Sequence, residues 1–589
     1  MTGEELALLG RTAAHLQPAQ VAHRARLRTQ RAALHRWPDL GLRLLAGTGP
    51  AAVAARAGWP HGFTPLDGVT PNGAAGADGA GSWHWPALAE LAAGRIRLLG
   101  MTRDLGGPSD GQHTDWQQAS APQLWRFHLH YWDWAWGLAA DTDRAAARAV
   151  FARLWRTWQE SCAFGRGDAW LPYPAALRAW SWCGLHRNLV AGSDLEQEFL
   201  REVAVHAGFL RRHLESDVGG NHLIKDLKAL AGLGVFLRDE RLLGRALQRL
   251  TGQLAVQVLP DGGHYERAPA YHCQVLADLI DVAGLISAAG RVPAPELTLA
   301  IARMRGWLGE VLSPDGMVPL LNDGYPVPAA LVTELRPGPA PDAPLLTMPD
   351  TGLVRAAGGA WHLIADVGAP CPDELPAHAH ADTFGCLVHV DGAPLLVDTG
   401  TSTYEAGPVR SYERSTAAHN TAELDGADST EVWGAFRAGR RARVRGVVAR
   451  GDAGRVTIEA AHNGYRRLPG RPVHRRRWSL TSTGLQVDDE VTGGKRHAVA
   501  VRWHLAPGAA VELQEDGAVV TTAAGDFRVA VGASGAYWLN VEPAMIATGF
   551  LRRTVAPVLT CRVDSALPVQ ISTGWSRAHR QTRSTRGAA

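Results

Sequence analysis

Near residue 345 the hydrophobic period of the chain changes from helical to alternating. One kind of layer cannot serve both patterns, so the chain has to build two different units in series. From about 120 to 340, amphipathic segments recur, among them PQLWRFHLHYWDWAWGLAA, DRAAARAVFARLWRTWQESC and NHLIKDLKALAGLGVFLRD. Gly, Pro or Asp punctuates the gaps, as helix ends require. Many consecutive helices with short links predict an all-α unit of paired helices. Beyond 345 the runs are short and alternate, as in FGCLVHVDGAPLLVDTG, RVTIEAA and HRRRWSLTSTGLQVDDEV. Asp391-Gly392 between two such runs predicts a hairpin. A succession of strands to the C-terminus predicts a large antiparallel sandwich.

With 589 residues the chain exceeds a single core. The expected division is a helical extension and Gly/Ala/Pro-rich connector over 1–110, a helical unit over 111–342, a sheet unit over 343–575 and a disordered basic tail over 576–589. A net charge of only +3 gives no global reason to expect nucleic acid as a partner. The basic residues are almost all Arg, the lysines being Lys225, Lys228 and Lys495. Arg suits a bidentate grip on carboxylates, although GC-rich codon usage is the plainer source of the bias. Trp clusters at Trp132, Trp134, Trp136, Trp180 and Trp182, where most rings are expected in the core and a minority in a sugar-binding cleft. The six cysteines show no paired short spacing, so no disulfide framework or all-Cys zinc site is expected. The opening MTGEELALLG does not read as a signal peptide, and no stretch is apolar enough to span a membrane. Cytoplasmic placement is the default, with periplasmic or exported placement left open.

Three patches can carry chemistry. In GGNHLIKD, Asn221 and His222 follow two glycines at a helix start, where an Asn serves as an N-cap and the helix end favours an anion. In DGGHYERAPAYHCQVL, a dense group holds His264, Tyr265, Glu266, Arg267, Tyr271 and His272. A neighbouring cation such as Arg267 or a protonated His is expected to lower the Tyr271 phenol. The third patch, PAHAHADTFGCLVHVDGAPLLVDTGTSTYEAGPVRSYERSTAAHNT, places His378, His380, Asp398 and His419 around strand ends. Two His and a carboxylate on adjoining strands make a credible zinc set, and a hydrogen-bonded polar cluster is the equally good bland reading.

Together with LWRFHLHYWDWAWGL and WLPYPAALRAWSW, these patches in this order resemble the heparinase II/III lyases over most of the chain from about 115 onward. The resemblance implies a multidomain α+β protein, an incomplete (α/α) toroid followed by an antiparallel β-sandwich. It implies that Asn221 neutralises a substrate carboxylate, that Tyr271 is the catalytic acid/base, and that His378 is the catalytic His of the sheet domain. It also implies that His380, Asp398 and His419 bind a structural metal, zinc or another divalent ion. The first 110 residues match nothing catalytic.

The chemistry implied is β-elimination on a uronic-acid-containing, anionic polysaccharide. Tyr271 would take the proton beside the carboxylate, and Asn221 would stabilise the enediolate. His128, His130, Arg178, Trp182, His222, Arg267 and His272 are candidates for lining a substrate cleft. Two alternatives stay open: a toroid-type glycoside hydrolase, which needs two opposed carboxylates and finds only Glu266, and a non-catalytic polysaccharide-binding protein. The polymer, endo or exo action and the oligomeric state are not legible.

Overall fold

A computed structural model describes residues 3–45, 57–66, 85–106, 114–336, 342–452 and 454–578. Most of the Gly/Ala/Pro-rich connector expected within 1–110, and the tail from 579 onward, lie outside the described residues. The strand Val569–Arg577 runs into the stretch expected to begin the tail.

The helical unit is as the period predicted, but the stretch expected as helical extension and connector also contains an antiparallel strand pair, Arg95–Leu98 with Met101–Asp104. Asp143 caps the helix Arg144–Ser161 by accepting from the Ala146 amide at 3.0 Å. Asp239 caps Glu240–Gln257 in the same way. Proline opens the helices Pro172–Leu189, Pro269–Ala288 and Pro295–Val311, where its missing N–H costs nothing. Their core is rich in tryptophan: Trp116, Trp125, Trp132, Trp134, Trp155, Trp158 and Trp182 are all fully buried. The helices Gly220–Phe236 and Pro269–Ala288 are buried on nearly every face, which marks them as the central pair. Lys228 locks their register, reaching Asp278 at 2.9 Å and Asp281 at 2.6 Å. Lys225 adds a second contact to Asp278 at 2.8 Å.

The second half is antiparallel throughout. A five-stranded sheet runs in chain order from Leu345–Met348 to Ala393–Leu396. Asp391 and Gly392 both take positive φ at its last turn, confirming the predicted hairpin. An eight-stranded sheet contains Val444–Gly451 at one edge and Ala510–Gln514 at the other. A four-stranded sheet has Arg496–His504 inside it, paired with Arg552–Ala566. Trp361, Trp478, Trp503 and Trp575 fill the core of this half.

Two features join the halves. The turn Asn322–Gly324 is stitched to the sheets, because the Asp323 amide donates to the His378 carbonyl at 3.1 Å and the Thr401 amide to the Gly324 carbonyl at 2.8 Å. The N-terminal helices are docked on both halves rather than extending from one. The Gln20 amide donates to the carbonyls of Asp217 and Glu374, each at 3.3 Å, and Arg11 pairs with Glu431 at 2.8 Å.

Candidate active site

Asn221 lies in the first turn of the helix Gly220–Phe236. Its backbone amide donates to Glu266 at 2.7 Å, and its side-chain amide reaches both Glu266 oxygens at 3.2 and 3.0 Å. The anion expected at this helix start is therefore supplied by the chain itself. Gly220 has positive φ and no room for a Cβ, which would fall onto Glu266 Oε1. Burial would raise the Glu266 carboxyl, but His378, His264 and the Asn221 hydrogen bonds outweigh it and hold it below the usual range. Tyr265 closes the turn, its hydroxyl accepting from the Gly220 amide at 2.9 Å.

His378 enters from the sheet side. Its Nε2 lies 3.4 Å from the Asn221 amide nitrogen and 3.3 Å from Glu266 Oε2. Its Nδ1 faces Asp323 at 2.9 Å. Its ring stacks on Tyr271 with 3.8 Å between centroids. Two helix starts and one sheet loop thus bring Asn221, Tyr271 and His378 together.

The Tyr271 hydroxyl does not bond directly to Asn221 or His378. It pairs with the hydroxyl of Tyr404 at 2.6 Å, with either oxygen able to donate. The expected lowering of the phenol is not seen. Burial, with Tyr404, Tyr325 and Asp323 nearby, raises it well above the usual value. Arg267 is not among the groups acting on the phenol; its guanidinium donates to the carbonyls of Ala369 and Asp350. Tyr404 is raised for the same leading reason, burial.

Sequence reasoning missed Tyr404, Asp323 and Arg410 as members of this cluster. Asp323 accepts from Arg410 through both oxygens, and Arg410 lies over the Tyr404 ring at 5.2 Å. The signals were present as an Asn-Asp-Gly turn between the two periods and a Tyr and an Arg in the third patch. Nothing local distinguished them from loop residues.

The candidate metal set meets in pairs. His419 Nδ1 contacts Asp398 at 2.8 Å, and the His380 and His419 rings are 5.3 Å apart. Nδ1 of His380 and Nε2 of His419 are buried without a hydrogen-bond partner, which is donor chemistry a metal could use. Yet Asp398 is engaged by His419 and the Gly400 amide, and His380 Nε2 by Asp323 at 2.9 Å. Among the described residues no three His, Cys, Asp or Glu groups are spaced to hold an ion. The described residues as placed do not form the expected three-ligand cage.

Most of the proposed cleft residues are corrected to structural roles. Arg178 and Trp182 have no exposed surface; Arg178 donates to the His130 carbonyl at 3.1 Å and to His206 at 3.0 Å. His130 accepts from the Trp158 indole at 3.2 Å, and burial holds it down to about 3. His272 bonds the Met304 carbonyl at 3.0 Å inside the core. The Trp clusters are likewise core. His128 is partly buried against Tyr131. His222 stays at the site's edge, one-third exposed, paired with Glu215 at 3.1 Å and tilted against the Tyr173 ring at 4.3 Å. Burial would lower its imidazole, but Glu215, helped by Glu266 and Asp217, outweighs this and raises it.

Two family models match the chain in tandem. Residues 105–336 match the heparinase II/III N-terminus, and residues 340–584 match the heparinase II/III-like C-terminal domain. The chain is 29% identical over 458 residues to FtsZ-localized protein C of Caulobacter vibrioides, covering 73% of this chain and 77% of that one. Among solved structures it is similar to a heparinase III, with TM-score 0.70, 17% identity and coverage of 82% and 81%. It is also similar to the heparan sulfate lyase HepC of Pedobacter heparinus, with TM-score 0.55, 16% identity and coverage of 83% and 82%. These likenesses match the helical first half and antiparallel second half to heparinase-like folds.

Proposed function

The chain belongs to the heparinase II/III family and is homologous to polysaccharide lyases, which are carbon–oxygen lyases; from that premise we propose that it cleaves a uronic-acid-containing polysaccharide by β-elimination. The observation that carries the reading is the meeting of Asn221, Glu266, Tyr271 and His378 in one cluster between the halves. We read the helical half as an incomplete toroid and the sheets as a sandwich closing over it.

The proton beside a uronate carboxylate is weakly acidic, so the developing enediolate needs a donor. Glu266 occupies one edge of the Asn221 amide. The second N–H of the same Asn221 Nδ2, on the side of His378, is the donor for the enediolate. The Tyr271–Tyr404 pair is the acid/base unit: an ionised phenol takes the carbon-bound proton, and the pair returns a proton to the leaving sugar oxygen. Two phenols in contact titrate as a unit, so the role belongs to the pair.

The test is incubation of the protein with a panel of uronate polymers, following absorbance of the new double bond and product masses. Unsaturated uronate ends support the reading. Saturated ends would assign a hydrolase. A second reading, a non-catalytic polysaccharide-binding protein, draws support from how closed the site is, with Tyr271 7% and His378 8% exposed. Binding without any new double bond would select it. The expected structural zinc is decided by elemental analysis of chelator-free protein: about one zinc per chain restores it, and none removes it.

A further inference from the structure

We propose that Asp323 is a positioning residue that orients His378 toward the substrate, with Arg410 holding the Asp323 carboxylate in place; this rests on the lyase reading above. Asp323 has no exposed surface. It sits in the Asn322–Gly324 turn, where Asn322 adopts a positive φ of 55°. The turn is fixed to the sheets by its backbone. The Asp323 backbone amide donates to the His378 carbonyl at 3.1 Å, and the His380 amide donates to Asn322 Oδ1 at 2.9 Å. The carboxylate is therefore placed by main-chain bonds that do not depend on substrate.

Its oxygens are fully engaged. Oδ2 meets His378 Nδ1 at 2.9 Å and Arg410 Nη2 at 2.9 Å. Oδ1 meets His380 Nε2 at 2.9 Å, the Thr401 hydroxyl at 3.2 Å, and Arg410 Nη1. An ionised carboxylate only accepts hydrogen bonds, so the facing His378 nitrogen must carry hydrogen. That choice sets Nε2 as the nitrogen presented to Asn221, Glu266 and the substrate. The same carboxylate fixes His380. One buried anion thus organises both residues of the His-x-His segment. Arg410 extends the arrangement, since its Nε also donates to the Ala435 carbonyl at 3.0 Å and its guanidinium lies over Tyr404.

The test compares Asp323→Asn with wild type. Asn keeps the size but replaces one accepting edge with a donating one. The expected result is a loss of kcat of about 10- to 100-fold with KM little changed, the range for a partner that orients a functional His. In a His378→Ala background the same change should add almost nothing. Arg410→Lys, which keeps the charge but not the two-pronged grip, should give a smaller loss in kcat and serves if Asp323→Asn does not fold. A merely structural Asp323 would lower the melting temperature and leave the kcat of folded protein intact. Near wild-type kcat in folded Asp323→Asn, or a full further loss in the His378→Ala background, overturns the proposal. Nitrogen-15 NMR of the His378 ring, assigned by its absence from His378→Gln, tests it without substrate. Hydrogen on Nδ1 in wild type and its displacement in Asp323→Asn support the proposal even if no unsaturated product forms on any polymer. A ring unchanged by Asp323→Asn overturns it, whatever the assay shows for the lyase reading.

Discussion

Arg178 in the helical core and Arg410 at the junction are both sealed from solvent, yet they are accommodated in opposite ways. Arg178 has no carboxylate contact among the described residues. It lies over Trp158, Trp170 and Trp182 at 4.5, 5.4 and 5.5 Å, and burial pushes it down to about 9. Arg410 meets the Asp323 carboxylate through both terminal nitrogens. Burial would lower it, but Asp323 outweighs that and raises it above its usual value. The residue type and the degree of burial are the same, and the neighbours decide the role. An arginine walled by indoles is packing material with a few hydrogen bonds. An arginine paired with a carboxylate at a domain seam fixes the geometry of whatever else that carboxylate touches.

Breaking the junction pair should give the largest effect on stability. Arg410→Met leaves the Asp323 carboxylate buried without its cation, a change that typically costs about 3–5 kcal/mol. Denaturant unfolding should show the loss, and kcat should fall with it. A stability loss of well under about 1 kcal/mol would mean that the junction tolerates an unpaired charge as the core does.

The sequence was informative where chemistry and period are local. The switch of period located the boundary between helices and sheets, Asp391-Gly392 marked a turn, and the patch around Tyr271 named a side chain that reaches the cluster. It was uninformative where partners are distant. Asp323 meets His378 across 55 positions and Arg410 across 87. Arg178 was a candidate for lining the substrate cleft because its indole walls and the His206 that it bonds are distributed over other segments. Glu266 was weighed as a hydrolase acid, and only the fold shows it capping the Asn221 helix.

The phenols sharpen the same contrast, because burial acts on them without a cation in hydrogen-bond contact. Tyr271 and Tyr404 are both raised. A base that must be ionised gains working fraction as pH rises toward its value and loses it as pH falls. With that value above the usual phenol range, kcat should climb about tenfold per pH unit through neutral and mildly alkaline pH. A pH profile with a maximum near neutrality would contradict the raised phenol.

The smallest effect is expected in the core. Arg178→Met removes a cation with no carboxylate in contact among the described residues and leaves apolar volume of similar length against three indoles. The stability change should be about 1 kcal/mol or less in either direction, because lost hydrogen bonds offset relieved desolvation. The kcat should stay at the wild-type value. A loss as large as that of Arg410→Met would erase the distinction between the two sites.

The most direct test of the central claim is the turnover of Tyr271→Phe, confirmed as folded, on a polymer that wild type converts to unsaturated product. The substitution removes one phenolic oxygen and leaves the ring that stacks on His378. The account predicts that substrate binding is retained and kcat falls about 100- to 10,000-fold, the usual contribution of a positioned acid/base. Unsaturated product formed at a near wild-type rate would contradict it.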